Sequence, residues 1–266
     1  MYDNVCKYLA ETFTSDLASW LLGPSSSDRL RPLKTELSNE QIRTDSLILL
    51  ESSNLVLHIE FQTEPDPKIP YRMTDYRLRV YRSFPNRDMH QVVIYLKPST
   101  SPLVQQNCFS LPKTRHEFEV IRLWEQPTNL FLNAPGLLPF APLSCTTDPV
   151  SVLDQVAQKI QALPERQTKS NVAGCTAILS GLVLNQELIH RILRQDSMKE
   201  SVIYQEILQE GIHQGIQQGI QQGIQRGVAQ VALNLLKTGM NVVQVAELTE
   251  LSVEQVQRLQ DSIQQN

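Results

Sequence analysis

The sharpest apolar and polar patterning lies over residues 43–62, RTDSLILLESSNLVLHIEFQ. Two apolar runs flank the polar stretch Glu51-Ser52-Ser53-Asn54, which is the pattern of a β-hairpin. With Ser52 and Ser53 as the turn, Asp45 lies directly opposite Glu60, and Arg43 opposite Gln62. Alternation then sorts the side chains onto two faces. Thr44, Ser46, Ile48, Leu50, Leu55, Leu57, Ile59 and Phe61 share one, which is mostly core. Leu47, Leu49 and Val56 share the other with His58, and Asp45, Glu60 and Gln62 cluster at its open end.

On either side of the hairpin the periodicity is mostly helical. Val5, Leu9, Phe13, Leu17 and Leu21 or Leu22 predict one helix over 2–22, ended by Gly23-Pro24. Residues 24–40 are polar and loop-like, and 63–70 is a proline-punctuated link. Met73, Tyr76, Val80 and Phe84 form the packing stripe of a helix over 71–84, with Pro70 in its first turn. Residues 91–96 read as a buried central strand and 116–124 as another strand. A proline-rich covering segment spans 125–142. Helices follow over 149–163, 168–184 and 186–195, the first opened by Asp148-Pro149. The pattern predicts an α/β core with a sheet flanked by helices, then an all-helical C-terminal region. Its divisions are a core over 1–145, a helical extension over 146–204, an arm over 205–228 and a small helical module over 229–266.

The arm is a repeat. Gly211, Gly215, Gly219, Gly223 and Gly227 recur every four residues, with Ile212, Ile216, Ile220 and Ile224 beside them. Four is close to the helical period, so both sets form slowly drifting stripes. A stripe of small residues permits close helix approach, while the interleaved glutamines rule out a membrane span. The repeat reads either as a helical self-association or partner-docking arm or as a repeat-expanded, partly disordered linker. Three short helices are expected beyond it, with Gly239 as a C-cap and Ser252 opening the last. That tail has the spacing of a helix-turn-helix half, but Arg258 is the lone arginine of its last helix. A small packing module fits better than a DNA reader.

Two facing carboxylates repel, so Asp45 opposite Glu60 implies a cation between them. Oxygen ligands suit a hard ion, Mg²⁺ or Mn²⁺. The helix over 71–84 and the residues just after it carry Arg72, Arg77, Arg79, Arg82 and Arg87, whose guanidinium forks suit phosphate. A solvated helix face explains them equally simply. The arrangement of Asp45, a turn and Glu60-x-Gln62 resembles the PD-(D/E)xK nuclease superfamily. The run IEFQTEPDPKIPYRMTDYRLRVY is similar to the block of the Rpn-type recombination-promoting nucleases, also described as PD-(D/E)xK family transposases. The resemblance covers roughly the first half of the chain, with that family's helical, Gln-rich tail behind it.

That resemblance implies a restriction-endonuclease-like core and metal-dependent hydrolysis of DNA phosphodiesters. Asp45 and Glu60 would be metal ligands, and Gln62 would stand where the superfamily usually has Lys. Arg72 matches a family arginine and, with Arg77 and Arg79, would contact DNA phosphates. The first helix often bears an acid facing the site. Glu11 is the candidate here, Asp3 and Asp16 are its rivals, and a solvent-facing acid is the structural alternative. Gln62 cannot act as a base, so a degenerate nuclease fold serving as a DNA-binding or oligomeric module is the other reading. A dimer, held through the Gly/Gln arm, would suit cutting of both strands.

Composition changes this picture little. The 266 residues are 41% hydrophobic and 20% charged, with a net charge of −4. The mild acidity argues against extensive nucleic-acid contact while leaving room for a local basic patch. Cys6, Cys108, Cys145 and Cys175 show no zinc-ligand spacing and read as thiols of a reducing compartment. The N-terminal stretch has no apolar signal core, and no apolar run approaches membrane-spanning length. A cytoplasmic protein is expected.

Overall fold

The computed structural model describes residues 2–24, 30–33, 48–193 and 200–264. They fall into two compact units, residues 1–206 and 207–266. The first unit is built on a five-stranded mixed sheet in the order β1-β2-β3-β4-β7. Its strands are β1 (Arg31–Pro32), β2 (Ile48–Glu51), β3 (Leu55–Gln62), β4 (Asp88–Tyr95) and β7 (Glu119–Arg122). The β1-β2 and β2-β3 pairs are antiparallel, whereas β3-β4 and β4-β7 are parallel. Helix α3 (Ile69–Ser83) makes the crossover from β3 to β4. Between β4 and β7 the chain instead forms a separate hairpin, β5 (Cys108–Leu111) and β6 (Thr114–Glu117).

The β2-β3 hairpin closes one residue later than the sequence pattern suggests. Ser52 N–H donates to the Leu55 carbonyl at 2.8 Å, so Ser53 and Asn54 are the turn. Leu55 N–H also donates to Ser52 Oγ at 3.2 Å, which favours this closure. Ile48 therefore pairs with Ile59 and Leu49 with His58. This register is two residues away from the expected one, so Asp45 facing Glu60 and Arg43 facing Gln62 no longer follow from it. Asp45 and Arg43 themselves lie outside the described residues. A shift of two preserves the faces, since side chains alternate with period two.

Both faces of β3 are buried, and all of Val56–Phe61 is inaccessible or nearly so. On one face Phe61 stacks on Phe140, with ring centroids 5.6 Å apart. Phe140 belongs to a 3₁₀ segment, Leu138–Leu143, which packs on helices α4 (Pro149–Ala162) and α5 (Arg166–Ser180). On the other face α3 lays Ile69 and Met73 against Val93, Tyr95, Val104 and Phe118, and Val80 against Leu49 and Val56. Asp148 caps α4 by accepting from Ser151 N–H at 3.0 Å.

Two predicted elements are broken in two. The helix over 2–22 is α1 (Tyr2–Thr12) and α2 (Thr14–Leu22), interrupted at Phe13. There Gly136 N–H donates to Asp16 Oδ2 at 2.8 Å, and a Cβ on Gly136 would lie 2.7 Å from Phe13 Cγ. The chain thus bends where another backbone comes close. Gly136→Ala should cost about 2 kcal/mol by overpacking. Denaturant unfolding followed by tryptophan emission would show it, because Trp20 and Trp124 both lie in the first unit. A loss below about 0.5 kcal/mol would mean that the contact yields freely. The predicted strand over 116–124 is divided between β6 and β7, because Phe118 turns into the core between them.

Helix α6 (Gln186–Leu193) completes the described part of the helical extension. Helix α7 (Val202–Lys237) runs unbroken through the glycine repeat and into the segment expected to form a separate helix. In the second unit the end of α7 packs with α8 (Val242–Thr249) and α9 (Val253–Gln264) around Ala232, Val245, Ala246 and Val256. Gly239 turns the chain at φ +90°, a conformation that favours glycine. Asn241 caps α8 through Gln244 N–H, and Ser252 with Gln255 forms a reciprocal capping box before α9. Ile212, Ile216, Ile220 and Ile224 stay more than half exposed. No described helix is long and apolar enough to cross a membrane.

Candidate active site

Period-two alternation puts His58, Glu60 and Gln62 on the α3-facing side of β3, toward its carboxyl end. The parallel register sets Glu60 beside Val93 and Gln62 beside Tyr95. Ligand sites in α/β sheets characteristically lie beyond the carboxyl ends of parallel strands. Glu60 is fully buried. Its Oε1 accepts from Gln62 Nε2 at 2.8 Å and is ion-paired with the Arg72 guanidinium. Oε2 has no hydrogen-bond partner among the described residues. The proline-rich link supplies Asp66, whose Oδ2 is 3.5 Å from Arg72 Nη1 and whose Oδ1 accepts from Lys68 N–H at 2.9 Å. Asp66 thereby shapes the turn into α3 and shares Arg72 with Glu60.

A second polar chain lies behind Glu60. His58, also fully buried, has its Nε2 3.9 Å from Glu60 Oε2. Its Nδ1 is 2.9 Å from Gln91 Nε2, which also donates to the Met73 carbonyl at 2.8 Å. Gln91 Oε1 lies 2.7 Å from His116 Nε2, on β6. Tyr76 meets the His58 ring edge-on at 5.0 Å. Burial pushes the Tyr76 phenol up to about 12, and the Glu60 carboxylate adds to the rise. Burial also raises Tyr95, with Asp66 contributing. Both phenols stay protonated at neutral pH. Burial and the Arg77 charge lower His116, which stays neutral there.

The site therefore unites three residues singled out from the sequence, Glu60, Gln62 and Arg72. Asp45 lies outside the described residues. Glu11 is exposed on α1, with no described contact to the Glu60 group. Its rival Asp16 is engaged with Gly136. Arg79 Nε donates to Asp75 Oδ2 at 2.8 Å, one helical turn away, and is largely covered. Arg77 is half-buried near His116. Asp66, in the proline-punctuated link, is a partner of Arg72. Gln91 and His116 carried no signal beyond their places in strand-like runs. Their meeting depends on strand order and on the separate β5-β6 hairpin.

A hard divalent cation needs several oxygens. Glu60 Oε2, orphaned and buried, suits it as one ligand. Among the described residues no group of three His, Cys, Asp or Glu side chains forms a cage, and Asp66 is committed to Arg72. The described donor set accommodates one edge of a metal site and needs a further carboxylate to complete it. Compared with protein-family models, curated proteins and solved structures, the chain matches none.

Proposed function

We propose that this chain is a metal-dependent DNA endonuclease of the PD-(D/E)xK, recombination-promoting type, with Asp45 and Glu60 holding Mg²⁺ or Mn²⁺. The observation that supports it most is the state of Glu60. A fully buried carboxylate sits at the carboxyl end of a parallel strand with one oxygen doubly held and the other unpartnered among the described residues. Burying such a charge is costly, and an apolar residue would serve packing better. When bound, the cation would polarise a phosphate and lower the pKa of a water. The chain's own residues orient the ligand and the substrate. Gln62 fixes the direction of Glu60 and contributes no base. Arg72, a third of its side chain reaching solvent, is the cation best placed to take a backbone phosphate next to Glu60. Arg77 is a second candidate, and Arg79 a weaker one because Asp75 already engages it.

The Arg72–Glu60 ion pair favours one other reading, a catalytically degenerate module that binds DNA without cutting it. In that case the guanidinium takes the place of the cation. In either reading DNA and a second copy of the chain are the partners. The exposed isoleucine ridge of α7, beside a glycine groove, supports the second. The reading places the chain in the cytoplasm.

Supercoiled plasmid incubated with the full chain should be nicked with Mg²⁺ or Mn²⁺ and left intact with EDTA. No cutting in either metal overturns the endonuclease. Calorimetry then tests the degenerate module, which predicts no Mn²⁺ heat and no change in DNA binding for Asp45→Asn.

A further inference from the structure

The geometry points to His58 as a positioning residue for Glu60, with its tautomer set by the Gln91 amide. This rests on the reading of Glu60 as a metal ligand. The Met73 backbone carbonyl can only accept, so the Gln91 atom 2.8 Å from it must be the nitrogen. That orientation leaves Gln91 Oε1 toward His116 Nε2, which donates to it. It also turns an amide N–H toward His58 Nδ1, at 2.9 Å. His58 Nδ1 must then be the acceptor, and the proton of the neutral ring sits on Nε2.

The consequence is specific. His58 Nε2 faces Glu60 Oε2 at 3.9 Å, outside hydrogen-bond reach; both atoms are buried, and neither has a hydrogen-bond partner among the described residues. A protonated Nε2 cannot ligate a metal, so His58 is excluded from the coordination sphere. It can only present its N–H to the carboxylate. When Arg72 turns from Glu60 to a phosphate, Gln62 stays as the donor to Oε1, and the His58 N–H is the polar group left facing Oε2. Groups that orient a metal ligand from outside its coordination sphere commonly change metal affinity by about 10–100-fold.

Two measurements on the full chain decide the proposal. In ¹⁵N-histidine spectra without metal at neutral pH, His58 should be the neutral Nε2–H tautomer, and Glu60→Gln should shift that proton's resonance. A proton on Nδ1, or an Nε2 proton indifferent to Glu60→Gln, overturns the proposal with no variant of His58 involved. Mn²⁺ affinity by calorimetry should fall about tenfold in His58→Leu and recover to within about twofold in His58→Gln, which restores an N–H donor. Equal affinity in wild type and His58→Leu overturns it as well. If wild type binds no Mn²⁺, the metal reading of Glu60 fails, while the spectra still decide how His58 is held.

Discussion

Glu60→Gln is expected to reduce metal-dependent plasmid nicking to the level seen with EDTA, while leaving the first unit folded. The substitution keeps shape and one acceptor oxygen, so Gln62 and Arg72 still find a partner on that side. It removes the charge, and with it the reason for a cation to sit beside a buried oxygen. The other atom becomes an amide nitrogen or leaves one facing a donor, because His58 presents Nε2–H there. That mismatch and the loss of the Arg72 counter-charge should cost about 2 kcal/mol. A gel assay, paired with unfolding followed through Trp20 and Trp124, separates the two effects. Full cutting by this variant would remove Glu60 from the chemistry. A collapse of stability together with cutting would make Glu60 structural first.

Arg72→Met should lower the stability of the first unit by about 3 kcal/mol. Breaking a buried ion pair by removing one partner typically costs about 3–5 kcal/mol, because the remaining charge stays desolvated. The low end applies because about a third of the Arg72 side chain is exposed. Among the described residues Glu60 would retain only Gln62 as a donor, with His58 Nε2 3.9 Å away. Arg72→Lys should recover part of the loss, since an ammonium restores charge but cannot span Glu60 and Asp66 with a planar fork. A loss under about 1 kcal/mol for Arg72→Met would show that water reaches Glu60 and screens it. Divalent cation added to this variant should restore stability if a cation can replace the guanidinium, by an amount that grows with its concentration.

The sequence pattern carries much of this architecture. The α3 stripe of Met73, Tyr76 and Val80 and the split of β3 into two faces follow from periods of 3.6 and 2. Glu60, Gln62 and Arg72 were legible as a group because two lie on one strand face and the third on the next helix. The hairpin register was not legible. Choosing Ser53-Asn54 over Ser52-Ser53 turns on a single hydroxyl, Ser52 Oγ, receiving Leu55 N–H. The break at Phe13 depends on Gly136, far away in sequence. The chain from His58 through Gln91 to His116 joins three strands of two sheets. Local periodicity shows which way each side chain points and never which partner it meets.

Along α7 the glycines have a mechanical consequence. A Cβ built on Gly211, Gly215, Gly219, Gly223 or Gly227 would meet nothing within 4 Å, so no packing within the chain demands glycine there. Alanine at all five would strengthen the isolated helix by about 4–5 kcal/mol. Within one copy of the chain, the arm thus forgoes rigidity that it could have at no steric cost. Its lowest helix propensity is concentrated in one stretch. Strain applied at either end would be absorbed there by local unwinding before it reached the sheet that holds Glu60.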